Sequence, residues 1–237
     1  MAKPNIICII PARGGSKGIP LKNIQILGGK PLLAHSIKHA RQCAAIQQVI
    51  VTTDHPEVAM VARQYGAQVI DRPEALGNDT ATSESALLHA LDHLREKEDV
   101  EPDLVVFLQA TSPLRQPHDL TRALESFQRL QVDSLFSACT YHGFIWRRED
   151  GRLKSLTYDY QHRQRRQDAI EDFLENGSIY IFKPWVLRQF NNRLGGKTGM
   201  YLMDFYDSFQ IDTPADLEFM AQIFAWRQSC YGSGSEA

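Results

Sequence analysis

Ile6-Ile7-Cys8-Ile9-Ile10-Pro11-Ala12-Arg13-Gly14-Gly15-Ser16-Lys17-Gly18-Ile19-Pro20-Leu21-Lys22-Asn23 is the stretch on which the reading of this chain turns. Its first five residues are apolar without a break, the pattern of a strand buried on both faces. A glycine-rich turn follows at once. Small residues let backbone N–H groups approach an anion closely, and Arg13, Lys17 and Lys22 add three cations. Together they make a site suited to a polyphosphate. The ATPase phosphate loop has a different order, Gly, four residues, then Gly-Lys-Ser/Thr. Ser16-Lys17 inverts that ending, and Gly196-Lys197-Thr198 has Asn191 where the leading glycine belongs. The G-x-G-x-x-G dinucleotide pattern is absent as well.

Outward from this stretch, strand and helix signals alternate. Strands are predicted at 5–10, 48–53, 67–70 and 103–109, and helices near 31–43, 56–65 and 83–97. Pro31 suits a first helical turn. Ala86, Leu87, Ala90, Leu91 and Leu94 form a helical stripe. Such alternation predicts an α/β fold, a three-layer, mostly parallel twisted sheet with helices on both faces. Ligands of such sheets lie outside the carboxyl ends of the strands. Arg13 and Gln109 both fall at such ends, so one cleft can take both. After Cys139 the pattern changes. Residues 141–176 carry aromatics, charges and the basic run Arg163-Gln164-Arg165-Arg166-Gln167, with no long amphipathic helix. Residues 178–182 read as a strand returning to the sheet and 214–226 as a closing helix. The expectation is one domain over 1–230, with 141–176 an excursion and 231–237 a disordered tail.

A chain of 237 residues can bury a sizeable core within one domain. A formal charge of −2 gives no global attraction to nucleic acid or membrane. No apolar run reaches membrane-spanning length and the N-terminus lacks a signal-peptide pattern. Cys8, Cys43, Cys139 and Cys230 have no C-x-x-C spacing. These readings point to a reduced, cytoplasmic protein.

The Arg13 stretch resembles the signature of the cytidylyltransferases that activate sugar acids, most closely the N-acylneuraminate branch. The resemblance continues in Arg72-Pro73-Glu74-Ala75-Leu76 with Asp79-Thr80-Ala81-Thr82-Ser83, and in Leu108-Gln109-Ala110-Thr111-Ser112-Pro113-Leu114-Arg115. Asn176-Gly177-Ser178-Ile179-Tyr180-Ile181 and Ile211-Asp212-Thr213-Pro214-Ala215-Asp216-Leu217 complete it. The blocks keep the family's order across nearly the whole chain. The resemblance implies a nucleotidyltransferase fold, a homodimer completed by the 141–176 excursion, and Mg2+ as cofactor. It implies transfer of CMP from CTP to the anomeric hydroxyl of a nonulosonic acid, with release of pyrophosphate. It further implies that the matching Ala12, Arg13, Gly14, Gly15, Ser16, Lys17, Asn23, Arg72 and Thr82 meet the nucleotide. Gln109, Ser112, Arg166 and Gln167 would meet the acid.

Each residue also has a plainer reading. A single Arg13 or Lys22 is as easily a solvated charge; three cations in one glycine-rich turn are not. Arg72 fits a surface turn, and Thr82 and Ser83 a helix cap, a role compatible with binding an anion. Gln109 could cap the turn after its strand. Arg115 reads as a surface charge ahead of a helix or as a group reaching the acid. The basic run is followed by Asp168, Glu171, Asp172 and Glu175, so its field is mixed. Arg13, Lys17 and Lys22 suit charge stabilisation of the triphosphate and of the leaving pyrophosphate, and Asp212 suits metal binding or proton removal. Asp212 could instead cap the Pro214 helix. The family often reads Asp-Ile-Asp where this chain reads Gln210-Ile211-Asp212; alternation along a strand would put positions 210 and 212 on one face. His89 and His93 lack a third zinc ligand and read as solvated. Two alternatives stay open: the enzyme activating the eight-carbon acid 3-deoxy-manno-octulosonate, and a nucleotide-binding relative without catalysis, favoured only by Gln210.

Overall fold

The computed structural model describes residues 3–77, 81–165 and 171–231. Among them, the strands are β1 (Ile6–Pro11), β2 (Ile26–Leu27), β3 (Lys30–Pro31), β4 (Gln48–Thr53), β5 (Gln68–Asp71), β6 (Leu104–Leu108), β7 (Ser134–Tyr141), β8 (Trp146–Glu149), β9 (Arg152–Ser155), β10 (Asp172–Phe182) and β11 (Thr198–Leu202). The α-helices are α1 (Leu32–Gln42), α2 (Pro56–Gln64), α3 (Ser83–Glu98), α4 (Asp119–Leu130), α5 (Pro184–Phe190) and α6 (Pro214–Tyr231).

Seven strands make one sheet in the order β11-β7-β10-β6-β1-β4-β5. All its pairings are parallel except those of β10, which runs antiparallel to β6 and β7. The sheet is therefore mostly parallel, as the alternation of signals predicts. Strand alternation divides the core. Ile6, Cys8 and Ile10 pack on one face with Leu33 and Ile37 of α1, Val58 of α2 and Leu124 of α4. Ile7 and Ile9 pack on the other with Leu87 and Leu91 of α3 and Leu187 of α5. β1 lies at the switch point, with β4 on one side and β6 on the other, where a ligand crevice opens beyond the strand ends.

The first-half elements match their predicted bounds to within a residue or two. Pro31 precedes α1 as its cap residue and pairs with Ile26 across the Gly28-Gly29 turn. Both of those glycines have positive φ, as a tight hairpin turn requires. The closing helix runs to Tyr231, past its expected end at 226 and into the stretch expected to be disordered. Residues 232–237 lie outside the described residues. Residues 208–213 form no strand, so strand alternation does not place Gln210 and Asp212 together. The 141–165 stretch holds the hairpin β8–β9, closed by Asp150 and Gly151, both at positive φ.

Candidate functional site

The loops after β1, β5 and β6 and the start of α3 border an open cleft of about 280 Å3, lined by Arg13, Gly15, Ser16, Lys22, Asn23, Arg72, Thr82, Ser83, Gln109 and Thr111 among others. The structure thus gathers residues separated by nearly a hundred positions, because each follows a parallel strand or starts a helix at one sheet edge.

The loop's own chain shapes it. Ala12 N–H donates to Thr52 O (3.0 Å) and extends the β1–β4 ladder. Asn23 is buried and its side-chain amide donates to Arg13 O (2.8 Å), closing the loop from its far end. Gly14 is required by space, since a Cβ there would lie 2.5 Å from the His55 ring. Leu21 has φ of +48°, an uncommon conformation for a branched side chain. It turns the chain into the short helical turn that carries Lys22 and Asn23. Lys22 Nζ donates to Ile211 O (3.0 Å) and to Asp212 Oδ1 (2.9 Å), with its side chain only 14% exposed. Ala12 and Gly14 form the buried back of the loop, and Lys17 is exposed beside the cleft without lining it.

Arg72 is buried, not a surface turn residue. Its Nη2 donates to Thr52 O (3.3 Å) and lies 3.6 Å from Asp54 Oδ1. Burial lowers its pKa, which Asp54 offsets in part and Arg13 reinforces. Thr82 is the N-cap of α3, its hydroxyl accepting from Ser85 N–H (3.1 Å), and it also lines the cleft. Cap and cleft roles therefore coincide there.

Gln109 lines the cleft from the loop after β6. Its backbone carbonyl accepts from Arg115 Nη2 (2.7 Å), and its side-chain oxygen would sit 3.0 Å from a Cβ on Gly177. Gly177, at φ +63°, therefore has both a conformational and a steric reason to be glycine. Ser112 is wholly buried, its hydroxyl has no hydrogen-bond partner among the described residues, and it does not line the cleft.

Arg115 corrects the surface reading. It is 3% exposed and donates to Ser178 O, Gln109 O and Ser36 Oγ. Burial pushes its pKa down to about 10, so it stays charged at neutral pH. It pins β10 to the loop after β6 from behind the cleft. Gln210 is also placed differently from expectation. Its side-chain amide donates to Asn176 O (2.6 Å), bracing the bulge around Gly177. Asp212 is not the helix cap. Thr213 Oγ1 accepts from Asp216 N–H (3.3 Å), and the Asp216 carboxylate accepts from the N–H groups of Asp212 (3.0 Å) and Thr213 (2.7 Å). This reciprocal cap leaves the Asp212 side chain, 69% exposed, to face Lys22. His89 and His93 stand with ring centres 6.5 Å apart. No cluster of three metal-ligating His, Cys, Asp or Glu occurs among the described residues. Arg166 and Gln167 lie outside the described residues.

Sequence reasoning missed Asp54, whose carboxylate accepts from Gly14 N–H (3.1 Å). The available signal was its position immediately after β4, equivalent to the place of Ala12 after β1 and Gln109 after β6. It also missed the buried network of Asn176, where the side-chain oxygen accepts from Ser137 Oγ (2.6 Å) and from Ser178 N–H (3.2 Å). Only the β10–β7 pairing brings those residues together.

A family model described as Cytidylyltransferase matches residues 7–229. The chain is 37% identical over 218 residues to N-acylneuraminate cytidylyltransferase A of Danio rerio, covering 90% of this chain and 49% of that one. It is 33% identical over 226 residues to pseudaminic acid cytidylyltransferase of Campylobacter jejuni, covering 92% of this chain and 95% of that one. The chain thus spans about half the length of the fish relatives it matches, and nearly all of the Campylobacter one. Two solved structures share the fold. CMP:2-keto-3-deoxy-manno-octonic acid synthetase complexed with CTP matches at TM-score 0.72 and 20% identity, covering 94% of this chain and 99% of that one. The 4-diphosphocytidyl-2C-methyl-D-erythritol synthase of Anaerococcus prevotii matches at TM-score 0.67 and 12% identity, covering 94% and 100%. The family match runs from within β1 into the last turn of α6 and so takes in every wall of the cleft; the chain belongs to the cytidylyltransferase family.

Proposed function

We propose that this protein transfers CMP from CTP to the anomeric hydroxyl of a nonulosonic acid and releases pyrophosphate. The observation that carries the reading is the cleft itself, which Arg13, Lys22, Arg72 and Gln109 line together. The similarity to the Campylobacter pseudaminic acid enzyme over almost its full length supports the choice of acid class.

Nucleotidyl transfer relies on positioning and on stabilising charge. The sugar hydroxyl oxygen attacks the α-phosphorus of CTP, forming the new P–O bond. The bond from that phosphorus to the β-phosphate bridging oxygen breaks, and the electron pair leaves with pyrophosphate. The hydroxyl proton passes to solvent or to Asp212. Arg13, Lys17, Lys22 and Arg72 hold the triphosphate and stabilise the leaving group, with Arg offering a planar fork and Lys a point charge. The backbone donor of Gly15 and the Ser16 hydroxyl approach the phosphates, Gly14 lets the loop pack tightly behind them, and Asn23 keeps that loop closed. Thr82 accepts from Ser85 N–H, which leaves its own proton for a base carbonyl, and Gln109 orients the acid. Mg2+ takes one or two carboxylates together with substrate phosphates and water. The exposed carboxylate of Asp212 beside the cleft fits that mode, and Asp212 would hold the ion. When bound, the ion neutralises phosphate charge.

The described cleft, about 280 Å3, lies at the small end for a ligand site. The excursion is accordingly read as completing the acid pocket of a second copy in a homodimer, with Arg166 and Gln167 meeting the acid there and the rest of 1–230 forming one domain. Support comes from the exposed Phe144, Trp146, Leu153 and Tyr160 on and beside the hairpin, and Phe173 and Leu174 on the adjoining strand. An isolated two-stranded hairpin is only marginally stable, so a partner surface gives it a reason to persist. Free Cys8, Cys43 and Cys139 support a reducing, cytoplasmic setting. No helix among the described residues is long and apolar enough to cross a membrane.

Pyrophosphate release from CTP with Mg2+ and a panel of acids tests the reading. Turnover with nonulosonic acids supports it. Turnover only with the eight-carbon acid, or CTP binding without turnover, replaces it with one of the two alternatives.

A further inference from the structure

Asp54 does not line the cleft, yet it touches two pieces that do or that shape it. Its Oδ1 accepts from Gly14 N–H at 3.1 Å and lies 3.6 Å from Arg72 Nη2. Its Oδ2 faces Gly77, where a Cβ would lie 2.5 Å away. Gly77 leads toward Thr82, so one carboxylate stands among three segments of the proposed nucleotide site. The Asp54 side chain is 19% exposed and that of Arg72 5%, so their attraction acts with little solvent screening.

The carboxylate is itself held firmly. It follows β4 directly, and the next residue, His55, begins a cap: His55 N–H donates to Thr53 Oγ1 (3.2 Å) and its ring nitrogen accepts from Glu57 N–H (3.3 Å) at the start of α2. The same ring packs under Gly14. Asp54 therefore transmits the rigid β4–α2 junction to the loop after β1. Its distance to Arg72 exceeds the roughly 2.7–2.9 Å of a charge-assisted hydrogen bond. The guanidinium is kept at the cleft by attraction without being locked against a ligand.

We propose that Asp54 is a positioning residue, setting the glycine loop through Gly14 and Arg72 through charge so that both meet the phosphates of the nucleotide together. The inference rests on the CTP reading above. Pre-setting donors before the ligand arrives removes an ordering cost from binding.

The test compares the wild-type protein with Asp54→Ala, Asp54→Asn and Asp54→Glu by steady-state pyrophosphate release, varying CTP and the acid separately. Asp54→Ala should raise KM for CTP about tenfold, the scale of one hydrogen bond to a charged group, while KM for the acid stays within about twofold, the error of such comparisons. Asp54→Asn keeps an acceptor for Gly14 and should fall between. Asp54→Glu should do no better than Asp54→Asn, because the longer arm cannot keep both contacts beside Gly77. Unchanged KM for CTP in a variant with a lowered Tm would overturn the proposal, as would an equal rise in both KM values. Amide exchange provides a readout free of the nucleotide. Gly14 N–H should exchange faster in Asp54→Ala, and less so in Asp54→Asn, while Ile9 N–H is unchanged. A Gly14 response in a protein that binds no CTP would support the positioning contact and sink the nucleotide reading; absence of that response would overturn the Asp54 proposal itself.

Discussion

The loop after β1 and the hairpin β8–β9 both leave the main sheet, and they are stabilised in opposite ways. The loop is held by its own chain: Thr52, Asn23 and Asp54 hydrogen-bond its backbone, and the His55 ring fills the space under Gly14. The hairpin is held by its own ladder, Trp146 to Ser155 through Glu149 to Arg152, and by hydrogen bonds, ion pairs and ring contacts among its own and flanking residues, such as Trp146 Nε1 to Tyr158 OH (3.1 Å). Arg163 lies 4.3 Å over the Phe144 ring, but Phe144 and Trp146 remain exposed. A loop that must meet phosphate is costly to order on binding, so preorganisation inside one chain serves it. In the proposed homodimer, a second copy would supply the apolar layer that the exposed aromatics of the hairpin lack.

Substitutions can break or sharpen this contrast. The largest effect is expected behind the cleft. Arg115→Ala removes the guanidinium donors to Ser178 O, Gln109 O and Ser36 Oγ and opens a cavity, at a cost of about 3 kcal/mol. Thermal and urea unfolding should both register that loss; a midpoint equal to wild type would show that the loop stands without it. Next comes Arg13→Ala, expected to lower kcat/KM with CTP about 100-fold, as for loss of one transition-state donor, with unfolding unaffected. Unchanged kinetics would remove the loop from the site. On the hairpin side, Trp146→Asp with Leu153→Asp should turn a dimer into a monomer by light scattering and raise KM for the acid about tenfold, an ordinary interface hot-spot effect, while CTP binding persists. A dimer that survives both changes would place the interface elsewhere. The smallest effect belongs to Gln210→Asp. It sets a carboxylate against Asn176 O and should cost about 1 kcal/mol without altering the Mg2+ titration. A sharpened metal requirement would return position 210 to the metal site.

The same contrast explains what the sequence discloses. β1 and β6 are short apolar runs and β4 and β5 have apolar centres, with Arg13, Asp54, Arg72 or Gln109 within two residues of their ends, and buried parallel strands announce themselves that way. The sequence proposes Arg13, Arg72 and Gln109 as site residues; Asp54 sits before a helix cap and looks like ordinary turn chemistry. The sequence reading assigns no helix at α4, although Leu120, Ala123, Leu124 and Phe127 form a helical stripe. Arg115 could not be read, because its three acceptors come from Ser36, Gln109 and Ser178, which only the sheet order makes neighbours. Gln210 failed for a related reason. The alternation argument needs a strand, and residues 208–213 have no ladder to join.

The central claim is that a loop fixed in advance grips CTP through charge. Calorimetric titration of wild-type protein and of Arg13→Ala with CTP and Mg2+ tests it most directly. One CTP per chain should bind to the wild type, and the arginine variant should bind markedly more weakly at equal ionic strength. A wild-type protein that takes up no CTP, or a variant that binds it equally well, would contradict the account.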